Sequence, residues 1–265
     1  MNNITLGKYI PLNSFVHKLD PRTKIIAMMI LLIAIFIPAG FVGYGIIGIF
    51  LFISLISSKL SFSFVWKSFK PSLFMLVFLL IINMFIIKTG DVWLTIGSFN
   101  LYSGAVIQTV YIVLRLLLMI VITTMLTATT KPLDLTMGLE DLLSPLAKLN
   151  VPTHDIAMMI SLALRFIPTL LEEAQRILKA QASRGVDMES GSFKEKIQAI
   201  LSLIVPLFVS SFQKADDLAD AMEARGYVVG AKRVRYKKLK FTFFDFITLV
   251  SVSGLLVGLI LLKVL

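Results

Sequence analysis

The sequence predicts an all-α polytopic membrane protein with about five transmembrane helices and two long helices on the cytoplasmic side. Three observations support this fold class. The 265 residues are 57% hydrophobic and only 16% charged, whereas about a quarter of the residues are charged in an average soluble domain. The mean hydropathy of the chain is +0.88. Several uncharged stretches are long enough to cross a bilayer, and basic loops separate some of them.

Composition also excludes several kinds of chemistry. The chain has no cysteine and only two histidines, His17 and His154, so we expect neither a disulfide framework nor a metal site, and no bound cofactor. The net charge of +10 is explained by basic cytoplasmic loops before it is explained by nucleic acid. The first twenty residues lack the apolar core of a cleavable signal sequence.

The first two spans are predicted to form a tight hairpin. Asp20 and Pro21 are typical of an N-cap followed by proline at the first helical position. Residues 25–56 carry no charge and are interrupted once, at residues 38–40 (Pro-Ala-Gly). Each half is close to the lower limit of about 17 residues for a span. Residues 43–48 match the glycine pattern of dinucleotide-binding loops, but no strand precedes them, so we reject that interpretation.

Residues 72–87 and 104–126 are predicted to form the third and fourth spans. The loop between them, residues 89–103, has one acid and no base, and Trp93 and Tyr102 are typical interface anchors. Residues 18–24 and 59–70 are basic. By the positive-inside rule these basic segments are cytoplasmic. We therefore predict a multi-pass protein of the cell membrane with a cytoplasmic amino terminus.

Arg115 lies near the middle of the fourth predicted span. A charge there costs at least about 2.5–3.5 kcal/mol, so its side chain should face the bundle and find acceptors. Asn83 in the third span or helix carbonyls are the candidates. A proton or ion relay is one interpretation, but no intramembrane acid of the first four spans accompanies it. We favour a structural hydrogen-bonding role.

The second half of the chain changes character. Residues 134–149 predict an amphipathic helix interrupted at Pro145. Residues 154–183 and 193–224 predict two long helices that reach the cytoplasm, and six bases fall within residues 231–240. Residues 243–262 form the last span, with Gly254 and Gly258 suited to close helix packing. The predicted domains are an N-terminal membrane domain (1–130), a cytoplasmic domain (131–240) and a C-terminal transmembrane helix (241–265).

The two long helical patterns end in the same signature. A shift of 41 residues (225 − 184 = 41) aligns the two Arg-Gly pairs. Glycine at a helix end adopts the left-handed conformation that stops the helix. A cation in the last turn also interacts favourably with the helix dipole, by about 0.3–1 kcal/mol, which is the ordinary explanation for one such arginine. Two copies indicate two equivalent helix tips that insert into two similar binding grooves of partner molecules, which we call sockets. The signatures are Ser183-Arg184-Gly185 and Ala224-Arg225-Gly226.

Further motifs occur in a fixed order along the chain. They are Leu-Asp-Pro-Arg-Thr-Lys at residues 19–24, Leu-Glu-Asp-Leu-Leu-Ser-Pro-Leu at 139–146 and Leu-Arg-Phe-Ile-Pro at 164–168. With the two Arg-Gly ends, they resemble the transmembrane T subunit of energy-coupling factor (ECF) transporters, the CbiQ/EcfT family. The resemblance covers nearly the whole chain.

The resemblance implies a scaffold without catalytic residues of its own. In that family, cytoplasmic coupling helices insert an Ala-Arg-Gly motif into each of two ABC ATPase subunits, and the membrane face carries a substrate-binding S component for vitamins or metals. Carried over, the ATPase-binding residues would be Ser183, Arg184, Gly185, Ala224, Arg225 and Gly226. Ser183 departs from the family pattern, which has alanine there. The sequence contains no phosphate-binding Gly-x-x-x-x-Gly-Lys-Ser/Thr loop, so ATP would be bound by the partner subunits.

Three alternatives remain open at this point. A T subunit dedicated to a single cobalt or nickel S component fits the residues as well as one shared by many S components. A self-contained secondary transporter would need an intramembrane acid or a broken-helix site, and Arg115 alone does not supply one. A membrane-embedded hydrolase is weaker still, because neither histidine lies in a predicted span.

Overall fold

The computed structural model describes residues 9–37, 39–87, 89–96, 99–145, 153–186, 192–228 and 239–264. This part of the chain is helical except for one two-stranded hairpin. The predicted class, an all-α polytopic membrane protein, is confirmed. Contacts divide the described residues into two compact units: one contains those between residues 9 and 153 together with 239–264, and the other contains 154–186 and 192–228.

The membrane unit begins with a short helix, which is followed by the first helix of the predicted hairpin. The helix α1 (Phe15–Lys18) is a single turn, and α2 (Pro21–Ile35) starts where the sequence predicts, with Pro21 in its first turn. The Asp20 side chain accepts a hydrogen bond from the backbone N–H of Arg22 at 2.8 Å. At 15 residues, α2 is shorter than the roughly 17 residues that a full span needs.

His17 in α1 is held by two hydrogen bonds. Its Nε2 lies 3.0 Å from the carbonyl oxygen of Ile10, and its Nδ1 lies 2.6 Å from the hydroxyl of Ser14. Because a carbonyl can only accept, Nε2 carries the proton and Nδ1 accepts from the serine. Burial lowers the pKa of His17 below its ordinary value, and the charge of Lys24 adds to this, while the Ile10 carbonyl opposes it.

Four longer helices complete the membrane unit. They are α3 (Gly40–Ser58), α4 (Phe62–Ile86), α5 (Ser103–Thr129) and α9 (Phe243–Val264). Gly40 has a φ of +67°, so the start of α3 uses the conformational freedom of glycine, as the sequence suggests. The dinucleotide-like glycines lie inside α3 and not in a strand-to-helix loop. The core is formed by apolar faces of α2, α3, α5 and α9.

Two features of this unit differ from the sequence-based prediction. The third span was predicted to start at residue 72, but α4 starts ten residues earlier because Pro71 is accommodated inside the helix. The loop after α4 contains an antiparallel hairpin, β1 (Val92–Ile96) paired with β2 (Phe99–Tyr102), where the sequence suggested only an irregular loop.

The helix α6 (Pro132–Leu143) packs against α2. A Cβ atom at Gly138 would lie only 3.1 Å from the Cβ of Pro21, so glycine permits the close approach. Nη1 of Arg22 lies 3.6 Å from a carboxylate oxygen of Asp141. The predicted amphipathic helix is thus present, but its last residues, 146–149, lie outside the described chain. The predicted functional boundaries at residues 130 and 240 stay a prediction.

The second unit consists of α7 (Thr153–Ser183) and α8 (Phe193–Ala224). Ser192 and Glu195 form a capping box at the start of α8, with reciprocal hydrogen bonds of 2.8 and 3.5 Å. Six described helices are long and apolar enough to cross a membrane, and α7 and α8 are the two of lowest hydropathy. Length and composition therefore do not separate them from the spans, and their cytoplasmic placement stays a prediction.

Candidate functional site

The first candidate tip is the carboxyl end of α7. The backbone N–H of Gly185 donates to the carbonyl of Ala182 at 3.0 Å, and that of Val186 donates to the carbonyl of Gln181 at 3.0 Å. Gly185 has a φ of +83°. These are the two bonds and the left-handed glycine of a Schellman cap, which satisfies carbonyls that a helix end otherwise leaves unpaired.

The carboxyl end of α8 repeats this geometry. The backbone N–H of Gly226 donates to the carbonyl of Glu223 at 2.8 Å, and that of Tyr227 donates to the carbonyl of Met222 at 2.9 Å. Gly226 has a φ of +76°. The repeat seen in the sequence is therefore a repeat of structure as well: both arginines precede a glycine that turns the chain out of the helix.

Both tips are exposed. Residues 182–185 and 223–226 are all exposed, and a Cβ at Gly185 or Gly226 would have no atom within 4 Å. Arg184 and Arg225 form no ion pair with another residue in the described ranges. The apolar residue after each glycine, Val186 or Tyr227, is half-buried. Each tip thus presents a guanidinium on a backbone that is fixed by its own cap.

Two side-chain contacts tie α7 to α8. Nε2 of Gln181 donates to the carbonyl of Ser202 at 3.2 Å, and Nζ of Lys214 lies 3.3 Å from Oε2 of Glu173. The pairs run in opposite directions along the two helices, so the helices are antiparallel. Arg184 follows Gln181 closely, whereas Arg225 lies 23 residues beyond Ser202. Because the helices run in opposite directions, the three residues from Gln181 to Arg184 add to these 23, and at 1.5 Å per residue the two tips are roughly 39 Å apart.

The amino-terminal two-thirds of α8 expose a continuous series of large apolar side chains. Phe193 is 81% exposed, Phe208 is 61% exposed and Val205 is 56% exposed. Soluble monomers rarely expose an apolar surface of this extent, which usually marks a protein or membrane contact. The other members are Ile197, Ile200, Leu201, Ile204, Val209 and Phe212.

The groups exposed at the tips are suited to binding another molecule. The arginine side chain is always charged and offers a rigid fork of donors, which matches carboxylates and carbonyls in a partner groove. In the described ranges, no group of three or more histidine or acidic side chains could hold a metal ion.

Arg115 belongs to the membrane unit. Its Nε donates to the hydroxyl of Tyr44 at 3.1 Å, and its guanidinium carbon lies 5.2 Å from the centre of the Phe36 ring. The proposed partner Asn83 is instead bonded to Thr109 at 3.1 Å. The expectation of an acceptor from the bundle holds, but Asn83 as that acceptor is wrong.

A second polar cluster was missed by the sequence reasoning. Asp245 in α9 is fully buried, and its carboxylate accepts hydrogen bonds from the backbone N–H groups of Asp20 and Thr242, both at 2.8 Å. Lys24 in α2 is 7% exposed and donates to the carbonyls of His17 and Thr129 at 3.2 and 3.0 Å. The sequence did carry a signal for this cluster, because Lys24 and Asp245 are charged residues within otherwise apolar helices.

The tertiary environment of Gly254 and Gly258 differs from the expectation. A Cβ at either glycine would have no atom within 4 Å. The small-residue face of α9 therefore does not pack on another described helix of this chain. The close approach involving α9 is made elsewhere, where a Cβ at Gly43 of α3 would lie 3.4 Å from a methyl of Leu259.

Comparison with known proteins identifies the family to which the chain belongs. Residues 12–236 match the CbiQ family model, described as a cobalt transport protein. The energy-coupling factor transporter transmembrane protein EcfT of Macrococcus caseolyticus is 44% identical over 263 residues, 99% of each chain. EcfT of Bacillus subtilis is 43% identical over the same share, and EcfT of Brevibacillus brevis is 45% identical over 257 residues, 97% of each chain. These matches, on an all-α membrane fold with two capped Arg-Gly helix ends, show that the chain belongs to the CbiQ/EcfT family of energy-coupling factor transporter transmembrane proteins.

Proposed function

We propose that this chain is the coupling subunit of an ECF-type ABC importer. It transmits ATP-driven motion from two ABC ATPase subunits to a membrane-embedded S component, for uptake of vitamins or other micronutrients. The observation that carries the proposal is the pair of equivalent, exposed and identically capped Arg-Gly tips on α7 and α8.

Each tip is the ATPase contact. Ser183, Arg184 and Gly185 enter one ATPase subunit, and Ala224, Arg225 and Gly226 enter the other. A capped helix end holds the backbone of the tip in place before binding, so little backbone freedom is lost when it docks. The open space around both glycines supports this role, because a partner backbone can approach them without meeting a side chain.

The contacts between α7 and α8 support a mechanical relay. The Gln181–Ser202 hydrogen bond and the Lys214–Glu173 ion pair connect the helices between the two tips. When the ATPase pair closes around ATP, it changes the distance between its two sockets. Because both tips belong to helices that are tied together, that change moves α7 and α8 with respect to each other.

The apolar face of α8 is the surface for the S component. Its large side chains are exposed along the amino-terminal two-thirds of the helix, away from the Arg225 tip. A membrane-embedded partner buries such a surface without desolvating charges. Motion of the tips is then passed along α8 to the substrate-binding partner.

The chain itself performs no catalysis in this proposal, and no cofactor is bound to it. ATP is bound and hydrolysed by the ATPase subunits. The amino terminus is cytoplasmic, on the side of the basic loops.

The alternative of a T subunit dedicated to one cobalt S component is favoured by the description of the matching family model. Affinity purification from native membranes, followed by mass spectrometry, tests it: several different S components indicate a shared subunit, and one indicates a dedicated subunit.

The central test is a double charge reversal at the tips. The variant Arg184→Glu/Arg225→Glu should lose co-purification with the ATPase subunits and lose uptake, because each socket then faces a carboxylate where it binds a cation. Each single variant should retain a partial complex held by the remaining tip.

Arg176→Glu is the matched control. Arg176 is an exposed arginine of α7 about two turns before the tip, so its reversal changes the net charge as much as each single tip variant does, half as much as the double variant, and leaves both caps intact. It should assemble and transport normally. A double tip variant that purifies with both ATPase subunits at wild-type yield would contradict the proposal.

A further inference from the structure

The repeat that relates α7 to α8 inverts the charges beside the two tips. The shift of 41 residues that aligns the two tip arginines also aligns Arg176 with Asp217 and Lys179 with Asp220. All four residues are exposed. We call Arg176 and Lys179 the α7 flank, and Asp217 and Asp220 the α8 flank. The tips are thus alike, whereas their flanks carry opposite charges.

Each flank lies close enough to its tip to meet the same partner surface. Lys179 and Asp220 precede their tip arginines by five residues, which is about 7.5 Å along the helix, and Arg176 and Asp217 precede them by about 12 Å. These distances are comparable to the Debye length of about 8 Å at physiological ionic strength. Because both helices end in the same cap at aligned residues, aligned side chains leave their helices in the same direction relative to the tip.

The flank charges are not neutralised by ion pairs. Within the described ranges, none of the four flank side chains forms one. The nearest base before the α8 flank, Lys214, is paired with Glu173. Lys179 has no acid within one turn on its own helix, since Glu172 and Glu173 are the nearest. Both flanks therefore remain available to a partner.

Helix stability does not explain the α8 flank. The carboxyl end of a helix carries a partial negative charge, so bases there are favourable and acids are unfavourable. The α7 flank follows this rule, whereas the α8 flank opposes it. Glu223, which is also exposed, adds an acid to the last turn of α8, and that turn contains no base. Acids at a place where the helix disfavours them indicate a requirement of the binding partner.

We propose that the flank charges assign each tip to its own socket, an inference that rests on the proposed binding of the tips to ATPase subunits. The α7 tip enters a socket with an acidic rim, and the α8 tip enters a socket with a basic rim. One kind of socket does not suit both, because a rim that attracts one flank repels the other. The tip arginines bind in both sockets, and the flanks select between them. The chain therefore sits on the ATPase pair in one orientation.

The size of this selection follows from the number of flank charges. An exposed charge pair changes an equilibrium by about 1.4- to fivefold. With about twofold at each of the four flank positions, the favoured orientation exceeds the exchanged one by roughly sixteenfold. Reversal of Arg176 alone leaves the other three in place, so it lowers the preference to about fourfold and does not prevent assembly.

The test records which ATPase subunit lies beside each tip in the assembled complex. The photo-cross-linking residue p-benzoyl-phenylalanine replaces either Ala180 or Ala221, which are aligned, exposed and outside both tip signatures. Mass spectrometry identifies the cross-linked subunit. With wild-type flanks, each position should cross-link one subunit about tenfold more than the other, and the two positions should prefer different subunits.

Three matched variants isolate the flank charges. Exchange of both flanks, Arg176→Asp/Lys179→Asp/Asp217→Arg/Asp220→Lys, keeps the net charge and should reverse both preferences. Exchange of the pair nearest the tips, Lys179→Asp/Asp220→Lys, should bring the two subunits to nearly equal cross-linking. The control Arg176→Lys/Lys179→Arg/Asp217→Glu/Asp220→Glu keeps every sign and should keep the wild-type preference.

A wild-type preference that survives either exchange would overturn this assignment while leaving the tips as the ATPase contact. Neutralisation of the α8 flank by the six bases of residues 231–240 would give that result. Cross-linking of one and the same ATPase polypeptide from both positions, or of two polypeptides equally from each, would overturn it as well. The absence of any ATPase cross-link from both positions with wild-type flanks would instead contradict the proposed function.

Discussion

Removing the Asp245 carboxylate tests the contact between α9 and the start of α2. Asp245 is fully buried and joins α9 to the N-cap residue of α2 through the backbone N–H of Asp20. In the variant Asp245→Ala, that N–H loses its acceptor. Water cannot easily replace it, because Asp20 is only 4% exposed.

The size of the effect follows from what is left unpaired. A buried donor without an acceptor costs about 1–3 kcal/mol. The donors of Thr242 contribute less, because Thr242 is exposed and water can reach them. We expect a loss of about 2–3 kcal/mol, which for a chain of this size lowers the unfolding temperature by about 4–12 °C.

Thermal unfolding of the purified chain in detergent, followed by loss of the monomer peak in size-exclusion chromatography, measures this. Asp245→Asn keeps one acceptor oxygen for Asp20 and should lose less than half as much as the alanine variant. Asp217→Ala removes an exposed carboxylate and should be neutral. An unfolding temperature of Asp245→Ala equal to that of Asp217→Ala would refute the reasoning.

Three further perturbations address the tips, the half-buried Arg115 and His17. Gly185→Ala and Gly226→Ala should each destabilise their cap by about 1–2 kcal/mol, because a Cβ is strained at positive φ, and hydrogen exchange of the next amide should accelerate. Tyr44→Phe removes the hydrogen bond to Arg115 and should cost about 1–2 kcal/mol in thermal unfolding. Because the folded state lowers the pKa of His17, its contribution to stability is fully present above its ordinary pKa of 6.5. That contribution should be lost as the pH falls through the lowered value, which thermal unfolding over a pH series measures.

Each of these three has a matched control. Gly254→Ala lies in open space within α9 and should be neutral or stabilising by up to about 1 kcal/mol. Tyr111→Phe removes a hydroxyl for which no hydrogen bond is recorded among the described residues, and it should unfold as wild type does. His17→Gln should flatten the dependence of unfolding temperature on pH between about pH 5 and 7.5. Equal behaviour of any variant and its control would contradict the corresponding assignment.

Local signals in the sequence were sufficient for the start of α2 and for the carboxyl ends of α7 and α8. The N-cap of α2 depends on Asp20 and its close neighbours, and the Schellman caps at Gly185 and Gly226 depend on the last turn of each helix. Such contacts span a few residues, so the sequence carries them directly. The caps beside Arg184 and Arg225 were predicted in this way, whereas the assignment of these residues to ATPase binding stays a prediction.

Contacts between residues that lie far apart in the sequence could not be predicted in the same way. Arg115 bonds to Tyr44, 71 residues away, because the rotation of α5 against α3 is set by packing. The start of α4 was misplaced since the basic residues Lys67 and Lys70 were assigned to a loop, although the helix contains them and continues through Pro71. Asp245 attracted no attention as a single acid at the start of an apolar stretch, and its role appears only when α2 lies beside it.

The hydrogen bond between Asp20 and Asp245 joins residues 225 positions apart, and this separation has a consequence for biogenesis. During translation the earlier membrane helices and all of α7 and α8 leave the ribosome before α9 does. Until then the N-cap of α2 has no carboxylate to receive its amide, and the groove for α9 stays open to lipid or to insertion factors. The bundle is therefore closed by α9 only after α2 to α8 have been made.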